Sequence, residues 1–324
     1  MRCLFKVMVL VLSFFYCTTS TFSQSINFFQ NDSVGRVGHC SASLLSERIA
    51  LLSAHCLLHE NKSLKPDAHE FIIGGKSIDI ELAVLGSSVF ALDTMYNPLV
   101  LKDWAFIILK PNTYTKNRFY MNLSNSYFSS YLINHRPKTL KVTSLNVTGL
   151  NEDLNQVSEV CNVYSSAKTD LLFTTCKSTV GGYSGGLFDN NFNLTAIMNI
   201  SVGYYYKDPK LPTSIKSVAI PVTDSMIKTF QAVDLSVKMH PVVTTKNILS
   251  SLLGVNYLDD TSSDLVVFNI KYDQKTDSRE AVIKGLRSFK LVDKLNGSFK
   301  GRSFLEYDDP IDDQGIKRRR IFRR

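Results

Sequence analysis

Three residues in the sequence could together carry out nucleophilic hydrolysis. Ser184 lies within Gly181–Gly186, where glycines permit a tight turn that points backbone N–H groups inward beside the hydroxyl. His55 ends an apolar segment next to a cysteine, and Asp103 directly precedes a strongly apolar run. A serine nucleophile, an imidazole base and a carboxylate that orients the base are the groups that acyl transfer needs. Each residue by itself is more typical of a structural role, so the prediction depends on the combination.

That combination resembles the trypsin-like, or chymotrypsin-fold, serine peptidases. Ala-His-Cys around His55, the aspartate before the apolar run at Asp103, and Ser-Gly-Gly at Ser184 match the family's three motifs in the family's order. The separations are 48 and 81 positions, which would place His and Asp in a first barrel and Ser in a second. The resemblance covers residues 34–235 and implies an endopeptidase that forms an acyl-enzyme.

Further site residues follow from the glycine turn and from the resemblance. The amides of Gly182 and Ser184 are the predicted oxyanion-hole donors. Ser178 matches the family position at the floor of the primary pocket, where a small hydroxyl argues against a strict preference for Arg or Lys. Asn199 is predicted to offer backbone groups to the substrate.

The sequence departs from the animal digestive and clotting branch of the family in two places. Tyr183 stands where that branch has an aspartate before the serine. The string Ile72–Gly75 is similar to the branch's new N-terminus, but a cut there would separate His55 from the rest of the domain. The chain is therefore more similar to the bacterial-type secreted members, which also carry a cysteine pair ahead of the serine block.

The pattern of short apolar and alternating runs predicts an all-β fold. Runs separated by turn residues extend over 37–109 and again over 139–220, which is typical of sandwiches or barrels. We expect two six-stranded antiparallel barrels, over about residues 24–115 and 130–235, closed by a helix at Thr223–Val233. The peptidase domain is therefore predicted to span 24–235.

Residues 236–324 are predicted to form a small C-terminal appendage, either α+β or partly disordered. A strand is predicted over Asp264–Tyr272 and a helix over Asp277–Val292. The segment ends in an acidic and then a basic tail, and no chemistry is assigned to it.

The first 23 residues have the features of an export signal. A basic start is followed by an apolar stretch of about ten residues, too short to span a bilayer, and then by small residues. Cys17 would also fit a lipoprotein site, but bulky residues precede it. The signal predicts a secreted protein, either periplasmic or extracellular.

The mature chain keeps four cysteines, which allow three pairings. They form two local pairs separated by 16 and 15 positions, so we predict disulfides Cys40–Cys56 and Cys161–Cys176. In the family resemblance, Cys40 is also the disulfide partner of the cysteine beside the histidine. A zinc site would be the alternative, but the Cys-x-x-Cys spacing is missing. His59, four residues after His55, is interpreted as a surface residue, and no metal or cofactor is predicted.

The net charge of +8 arises at the two ends of the chain. Two units belong to Arg2 and Lys6 and six to residues 317–324, so the body is formally neutral. A neutral body lacks the basic surface that nucleic acid requires. No later run reaches 18 apolar residues, so no stable membrane insertion is expected either. The predicted partners are protein or peptide substrates, and the sequence leaves the oligomeric state open.

Two other functions are compatible with parts of the pattern. A catalytically silent homologue could use the same double barrel as a protein-binding module, because fold does not imply function. An esterase with the α/β-hydrolase elbow would need the order Ser, Asp, His, and only His240 follows Ser184. The order of the three motifs therefore argues against the esterase, and the presence of all three triad residue types argues against the silent homologue.

Overall fold

The computed structural model describes residues 33–58, 64–86, 101–125, 140–150, 156–166, 169–176, 185–201, 212–254, 264–270, 286–290 and 305–307. Strands dominate these residues, together with two α-helices. Neither helix is long and apolar enough to cross a bilayer.

The first six strands form a closed antiparallel barrel. They are β1 (Val34–Val37), β2 (Cys40–Ser46), β3 (Ile49–Leu52), β4 (Glu70–Ile73), β5 (Lys76–Leu85) and β6 (Ala105–Leu109). Their spatial order is β5-β4-β1-β2-β3-β6, and pairing between β5 and β6 closes the ring. All six strands contribute to one buried cluster, which is the barrel interior.

Strand β6 explains why one run in the sequence is apolar at every position. Ala105, Ile107 and Leu109 pack in the barrel interior. Phe106 and Ile108 point the other way and pack in a second cluster that contains the helices. Because side chains alternate between the faces of a strand, a strand covered on both faces is uniformly hydrophobic.

The string Ile72–Gly75 forms the end of β4 and the turn into β5. Gly74 and Gly75 have φ of 57° and 73°, which a type I′ hairpin turn requires and which glycine adopts without strain. Ile73 is buried in the barrel interior. A hairpin inside the first barrel accounts for these residues.

The second barrel is formed by six later strands. They are β8 (Leu140–Leu150), β9 (Gln156–Ser166), β10 (Thr169–Thr174), β11 (Gly186–Phe188), β12 (Asn193–Ser201) and β13 (Ser217–Pro221). Their order is β11-β8-β9-β10-β13-β12, and pairing between β11 and β12 joins the two ends. The two-residue strand β7 (Asn122–Leu123) lies parallel to β12 at the edge. The all-β fold of two six-stranded barrels is thus confirmed.

Helix α1 (Asp224–Met239) follows the second barrel and packs back on the first. Its N-cap Thr223 accepts a hydrogen bond from the Met226 amide at 3.2 Å, which satisfies one of the free N–H groups of the first turn. The ring centroids of Phe230 and Phe106 are 6.0 Å apart, so the helix covers the outer face of β6. The helix is longer than the predicted Thr223–Val233 because its buried face continues to Val237.

Part of the segment expected to be an appendage packs against the first barrel. Helix α2 (Thr245–Gly254) buries Ile248 and Leu252 beside α1. Strand β14 (Asp264–Asn269) pairs antiparallel with β5. The sequence predicts a strand at β14 but no helix at α2.

The predicted helix Asp277–Val292 is wrong at the positions where the structure describes it. Leu286–Lys290 form strand β15, which pairs with β14, and β15 pairs in turn with β16 (Leu305–Tyr307). The remaining residues of that prediction lie outside the described residues. Pairing with an available strand edge overrides a modest helix propensity over a short segment.

Candidate active site

The ends of two adjacent strands bring His55 and Asp103 together. Strands β3 and β6 are paired, with Leu52 opposite Ala105 at the end of the ladder. The backbone continues as a neighbouring pair beyond that point, and the Ala54 amide donates to the Asp103 carbonyl at 3.3 Å. A 3₁₀ turn at Ala54–Cys56 then directs the imidazole toward the carboxylate. The pairing of β3 with β6 therefore brings together two residues that are 48 positions apart in the sequence.

The carboxylate of Asp103 accepts two hydrogen bonds from the same histidine. The distance between His55 Nδ1 and Asp103 Oδ2 is 2.7 Å, and the His55 backbone amide donates to Oδ1 at 2.8 Å. Asp103 is 4% exposed, whereas the His55 side chain is 22% exposed. Because a carboxylate only accepts, Nδ1 carries a proton, and in the neutral imidazole Nε2 is then the nitrogen with the lone pair.

Asn199 contributes a third donor to this carboxylate from the second barrel. Its Nδ2 lies 2.8 Å from Asp103 Oδ2 and 3.4 Å from the hydroxyl oxygen of Ser53. Ser53 in turn donates to the Met198 carbonyl at 3.3 Å. Asn199 and Ser53 are both buried. The aspartate is thus held by groups from both barrels.

Neither of these side-chain roles is predicted from the sequence. The sequence predicts only that Asn199 offers backbone groups to the substrate, which stays a prediction, and it does not single out Ser53. The available signal is that Asn199 is a large polar residue in the otherwise apolar run Ala196–Ile200. A buried polar side chain needs partners, so such a residue marks a buried polar contact.

A disulfide anchors the turn that carries the histidine. Cys56 follows His55 directly and is bonded to Cys40 at the start of β2, with the Cα atoms 6.0 Å apart. The second disulfide joins Cys161 on β9 to Cys176 after β10, with a Cα separation of 5.3 Å. Both pairings are those predicted from the spacing.

The described residues contain two groups of side chains with metal-binding potential. One combines Cys40 and Cys56 with His55, and the other combines Cys161 and Cys176 with Glu159. In each group both sulfurs belong to a disulfide, so neither group offers a thiolate to a metal ion.

Ser184, Gly182 and Ser178 lie outside the described residues, which resume at Gly185. The Gly185 carbonyl accepts a hydrogen bond from the Met198 amide at 2.8 Å, and Gly186 pairs with Ile197. A Cβ built on Gly186 would lie 2.2 Å from a methyl of Leu194, so a larger residue there would have to displace the neighbouring side chains. The residue that follows Ser184 is therefore fixed to the strand that carries Asn199.

No protein-family model matches the sequence, and no characterised relative was found among curated proteins. Solved structures with a similar fold include a Glu endopeptidase in complex with MPD, with 14% sequence identity, a TM-score of 0.46, and coverage of 62% of this chain and 89% of that one. A second is neuropsin, a serine protease of mouse brain, with 14% identity, a TM-score of 0.39, and coverage of 59% and 88%. A third is a serine endoprotease from Yersinia pestis, with 17% identity, a TM-score of 0.40, and coverage of 65% of each chain.

The strand pairing defines the fold of this chain. Two closed six-stranded antiparallel barrels are followed by a helix that returns to the first barrel. His55 and Asp103 lie at a strand end of the first barrel, next to Asn199 of the second. The chain has the chymotrypsin fold, which is the fold of the trypsin-like serine peptidases.

Proposed function

We propose that this chain is a secreted serine endopeptidase whose catalytic residues are Ser184, His55 and Asp103. The observation that carries the proposal is the buried Asp103 carboxylate, which accepts hydrogen bonds from both the ring and the backbone of His55. A buried charge costs stability unless it is paired and hydrogen-bonded. Both oxygens of the Asp103 carboxylate accept hydrogen bonds, and the carboxylate contacts a partly exposed imidazole. This arrangement is suited to proton transfer by the imidazole.

The tautomer of the neutral His55 imidazole determines which ring nitrogen can act as the base. With Nδ1–H donated to Asp103, Nε2 can take the hydroxyl proton of Ser184 as Oγ attacks the peptide carbonyl carbon. The amides of Gly182 and Ser184 would hold the resulting oxyanion. The imidazolium then gives its proton to the leaving amine, the C–N bond breaks, and an acyl-enzyme remains. Water, deprotonated by Nε2, attacks the ester, and Ser184 leaves with the returned proton.

The position of Gly185 supports the inclusion of Ser184. Adjacent Cα atoms are about 3.8 Å apart, so Ser184 stays within one step of Gly185. The Gly185 carbonyl accepts a hydrogen bond from the Met198 amide, and the Met198 carbonyl accepts one from the hydroxyl of Ser53, which lies two residues before His55. These hydrogen bonds connect the residue after Ser184 to the residue two before His55, and they support the proposal that the serine acts with the histidine.

Peptide bonds of proteins are the proposed substrate class. Ser178 would supply a neutral hydroxyl at the floor of the primary pocket, so we expect no strict preference for Arg or Lys. Digestion of a peptide library by the purified mature protein would define the preference. Exclusive cleavage after basic residues would contradict the assignment of Ser178.

Secretion is proposed from the export signal and is compatible with the two disulfides. Disulfides persist in oxidising compartments and are rare in the cytosol. The signal itself lies outside the described residues. Fractionation of the native host, followed by N-terminal sequencing of the mature protein, would test both the compartment and the cleavage site.

Activity is also proposed not to need a second N-terminal cut. Tyr183 cannot form the ion pair with a liberated ammonium that an aspartate at this position forms in the animal branch, and a buried unpaired charge costs several kcal/mol. A mature chain that starts at Gln24 with a blocked amino group is expected to turn over normally. Loss of activity on blocking, restored by an internal cut, would reveal a zymogen step.

The decisive experiment is covalent labelling with a serine-directed phosphonate, combined with peptide hydrolysis. The wild-type chain is expected to be labelled and active, and Ser184→Ala to be neither, with an unchanged fold by circular dichroism. Ser77→Ala is the matched control, because Ser77 is an exposed strand serine and should retain full labelling. If the wild-type chain binds peptides but is neither labelled nor active, it is a silent homologue that serves as a binding module.

A further inference from the structure

Several Asn-x-Ser/Thr motifs follow the predicted export signal. In secreted eukaryotic proteins this motif is the acceptor for N-linked oligosaccharide. The acceptor asparagines are Asn31, Asn61, Asn122, Asn146, Asn193, Asn199 and Asn296. The structure describes the side chains of three of them, Asn122, Asn193 and Asn199. We propose that Asn122 is an N-glycosylation site when the chain passes through a eukaryotic secretory pathway, and that Asn199 stays unmodified. This inference rests on the proposed secretion and is independent of peptidase activity.

The chemistry of the modification requires an accessible side-chain amide. The oligosaccharide is transferred from a lipid diphosphate donor. The asparagine Nδ2 forms a bond to the sugar C1 atom, the bond from C1 to the diphosphate oxygen breaks, and the lipid diphosphate leaves with the electron pair. One of the two Nδ2 protons passes to a base of the transferase. The modified asparagine carries a large polar group, so in the folded protein its side chain must face solvent.

Asn122 meets this requirement. It lies in the two-residue strand β7 at the end of the second sheet, and its side chain is exposed. Met121 and Leu123 on either side of it pack in the cluster that contains the helices. Because side chains alternate along a strand, this packing directs Asn122 outward. The Met121 amide donates to the Leu44 carbonyl at 2.9 Å, so the backbone next to the acceptor is held in place.

Asn193 stands beside Asn122 in the parallel pairing of β7 with β12. Neighbouring strands are about 4.8 Å apart, so two oligosaccharides at these positions would crowd each other. The Asn193 side chain is partly buried, and its Nδ2 donates to Asp189 Oδ2 at 2.9 Å. Asp189 is itself buried and depends on this turn for its hydrogen bonds. Asn122 is therefore the expected acceptor of the pair.

Asn199 is excluded by its burial. It is 4% exposed, and its Nδ2 lies 2.8 Å from Asp103 Oδ2 and 3.4 Å from Ser53 Oγ. A sugar on this nitrogen would have to occupy the space that these two residues fill. A chain modified at Asn199 cannot adopt the described fold, so the folded protein is expected to carry an unmodified Asn199 despite its motif.

The position of Asn122 also predicts what the glycan leaves unchanged. Asn122 pairs with Asn193 at the start of β12, whereas Asn199, six residues later on the same strand, contacts Asp103. At about 3.3 Å per residue, this separation is roughly 20 Å. Loss of the glycan is therefore expected to leave phosphonate labelling and peptide turnover unchanged.

The test is site-resolved mass spectrometry of the full chain, secreted by a cultured eukaryotic cell line under its own export signal. An amidase that releases N-linked glycans in heavy-oxygen water converts each modified asparagine to an aspartate that carries the isotope. We expect the isotope at position 122 and its absence at position 199. An unmodified Asn122, or modification of Asn193 in its place, would overturn the inference. Modification of Asn199 in folded protein would overturn it as well.

Two variants remove the motif in different ways. Asn122→Gln removes the acceptor nitrogen, and Ser124→Ala removes the hydroxyl that the transferase recognises. Each is expected to lose one glycan, seen as a single step on a gel, whereas Ser124→Thr should keep it. Asn191→Gln is the matched control, because Asn191 is an exposed asparagine outside any motif and its replacement should leave the glycan count unchanged. If one variant does not fold, the other still tests the site.

A host export signal in place of residues 1–23 separates this inference from the proposed secretion. Glycosylation of Asn122 only with the host signal would refute the predicted export signal and support the site. An unmodified Asn122 in a chain that the host signal secretes would refute the site alone. A glycosylated wild-type chain that is neither labelled nor active would refute the peptidase proposal and support the glycosylation site.

Discussion

Replacement of Phe268 by alanine is expected to destabilise the first barrel, although the residue lies beyond the predicted peptidase domain. Phe268 is in β14, is 0% exposed, and packs in the cluster that fills the barrel interior. It stands opposite Ala83 of β5 in the antiparallel ladder. The sequence alone predicts that a chain ending near residue 240 keeps its fold and activity, and this packing predicts the opposite.

The expected magnitude follows from the burial. Truncation of a fully buried phenylalanine to alanine costs about 3–5 kcal/mol, from lost apolar transfer and from the cavity left behind. For a domain of this size each kcal/mol lowers Tm by about 2–4 °C, so a decrease of about 6–20 °C is expected. The neighbours Leu265, Val266 and Val267 are equally buried, and a chain that ends at Gly254 loses all four side chains.

The assay is urea and thermal unfolding of the mature chain, monitored by circular dichroism, together with hydrolysis of a peptide substrate. Leu235→Ala is the control, because Leu235 is an apolar residue that is 52% exposed and should change the free energy of unfolding by less than about 0.5 kcal/mol. If Phe268→Ala is as stable as Leu235→Ala, and the chain ending at Gly254 melts and turns over like the full chain, β14 is not part of the barrel core.

Three other perturbations have defined outcomes. Asp103→Asn is expected to lower kcat about 10⁴-fold with the fold intact, because the amide would favour the wrong His55 tautomer; steady-state kinetics that show a loss below tenfold would contradict this. Reduction or joint serine replacement of Cys40 and Cys56 is expected to lower the free energy of unfolding by about 3 kcal/mol, measured in urea, since the disulfide closes a loop with a separation of 16 residues. Burial raises the pKa of Tyr120 above 10.0, with a further contribution from Glu47. The folded state then holds the Tyr120 proton more tightly than the unfolded state, so this contribution to stability is complete below pH 10 and is lost as the pH rises through the folded pKa. A spectrophotometric titration of the folded wild-type chain should therefore show a tyrosine that ionises late, and this late ionisation should be absent from Tyr120→Phe.

The local elements of the barrels follow closely from the sequence because their patterns have local causes. The run after Asp103 is apolar at each position, and it forms β6, which is covered on both faces. Gly74 and Gly75 form the positive-φ turn of a hairpin. Thr223 caps helix α1 close to the predicted start. Periodicity, turn chemistry and capping act within a few residues, and a single sequence displays them.

The C-terminal segment shows where local patterns fail. Leu286–Lys290 were predicted to be helical and instead form β15, because β14 presents an edge with which they pair. The same β14 joins the first barrel through β5, a contact between residues more than 180 positions apart. No property of the segment itself indicates which edge it will meet.

The sequence by itself determined the chemical types of the proposed site. It determined a serine among glycines, a histidine beside a disulfide cysteine and an aspartate before a buried strand, and also the two disulfide pairs. The tertiary structure alone decided that the Asp103 carboxylate receives its third hydrogen bond from the Asn199 side chain, and that Ser53 connects that residue to the first barrel. The physical reason is that a hydrogen bond requires atoms within about 3 Å, and only barrel closure brings residues separated by 96 and 146 positions to that range.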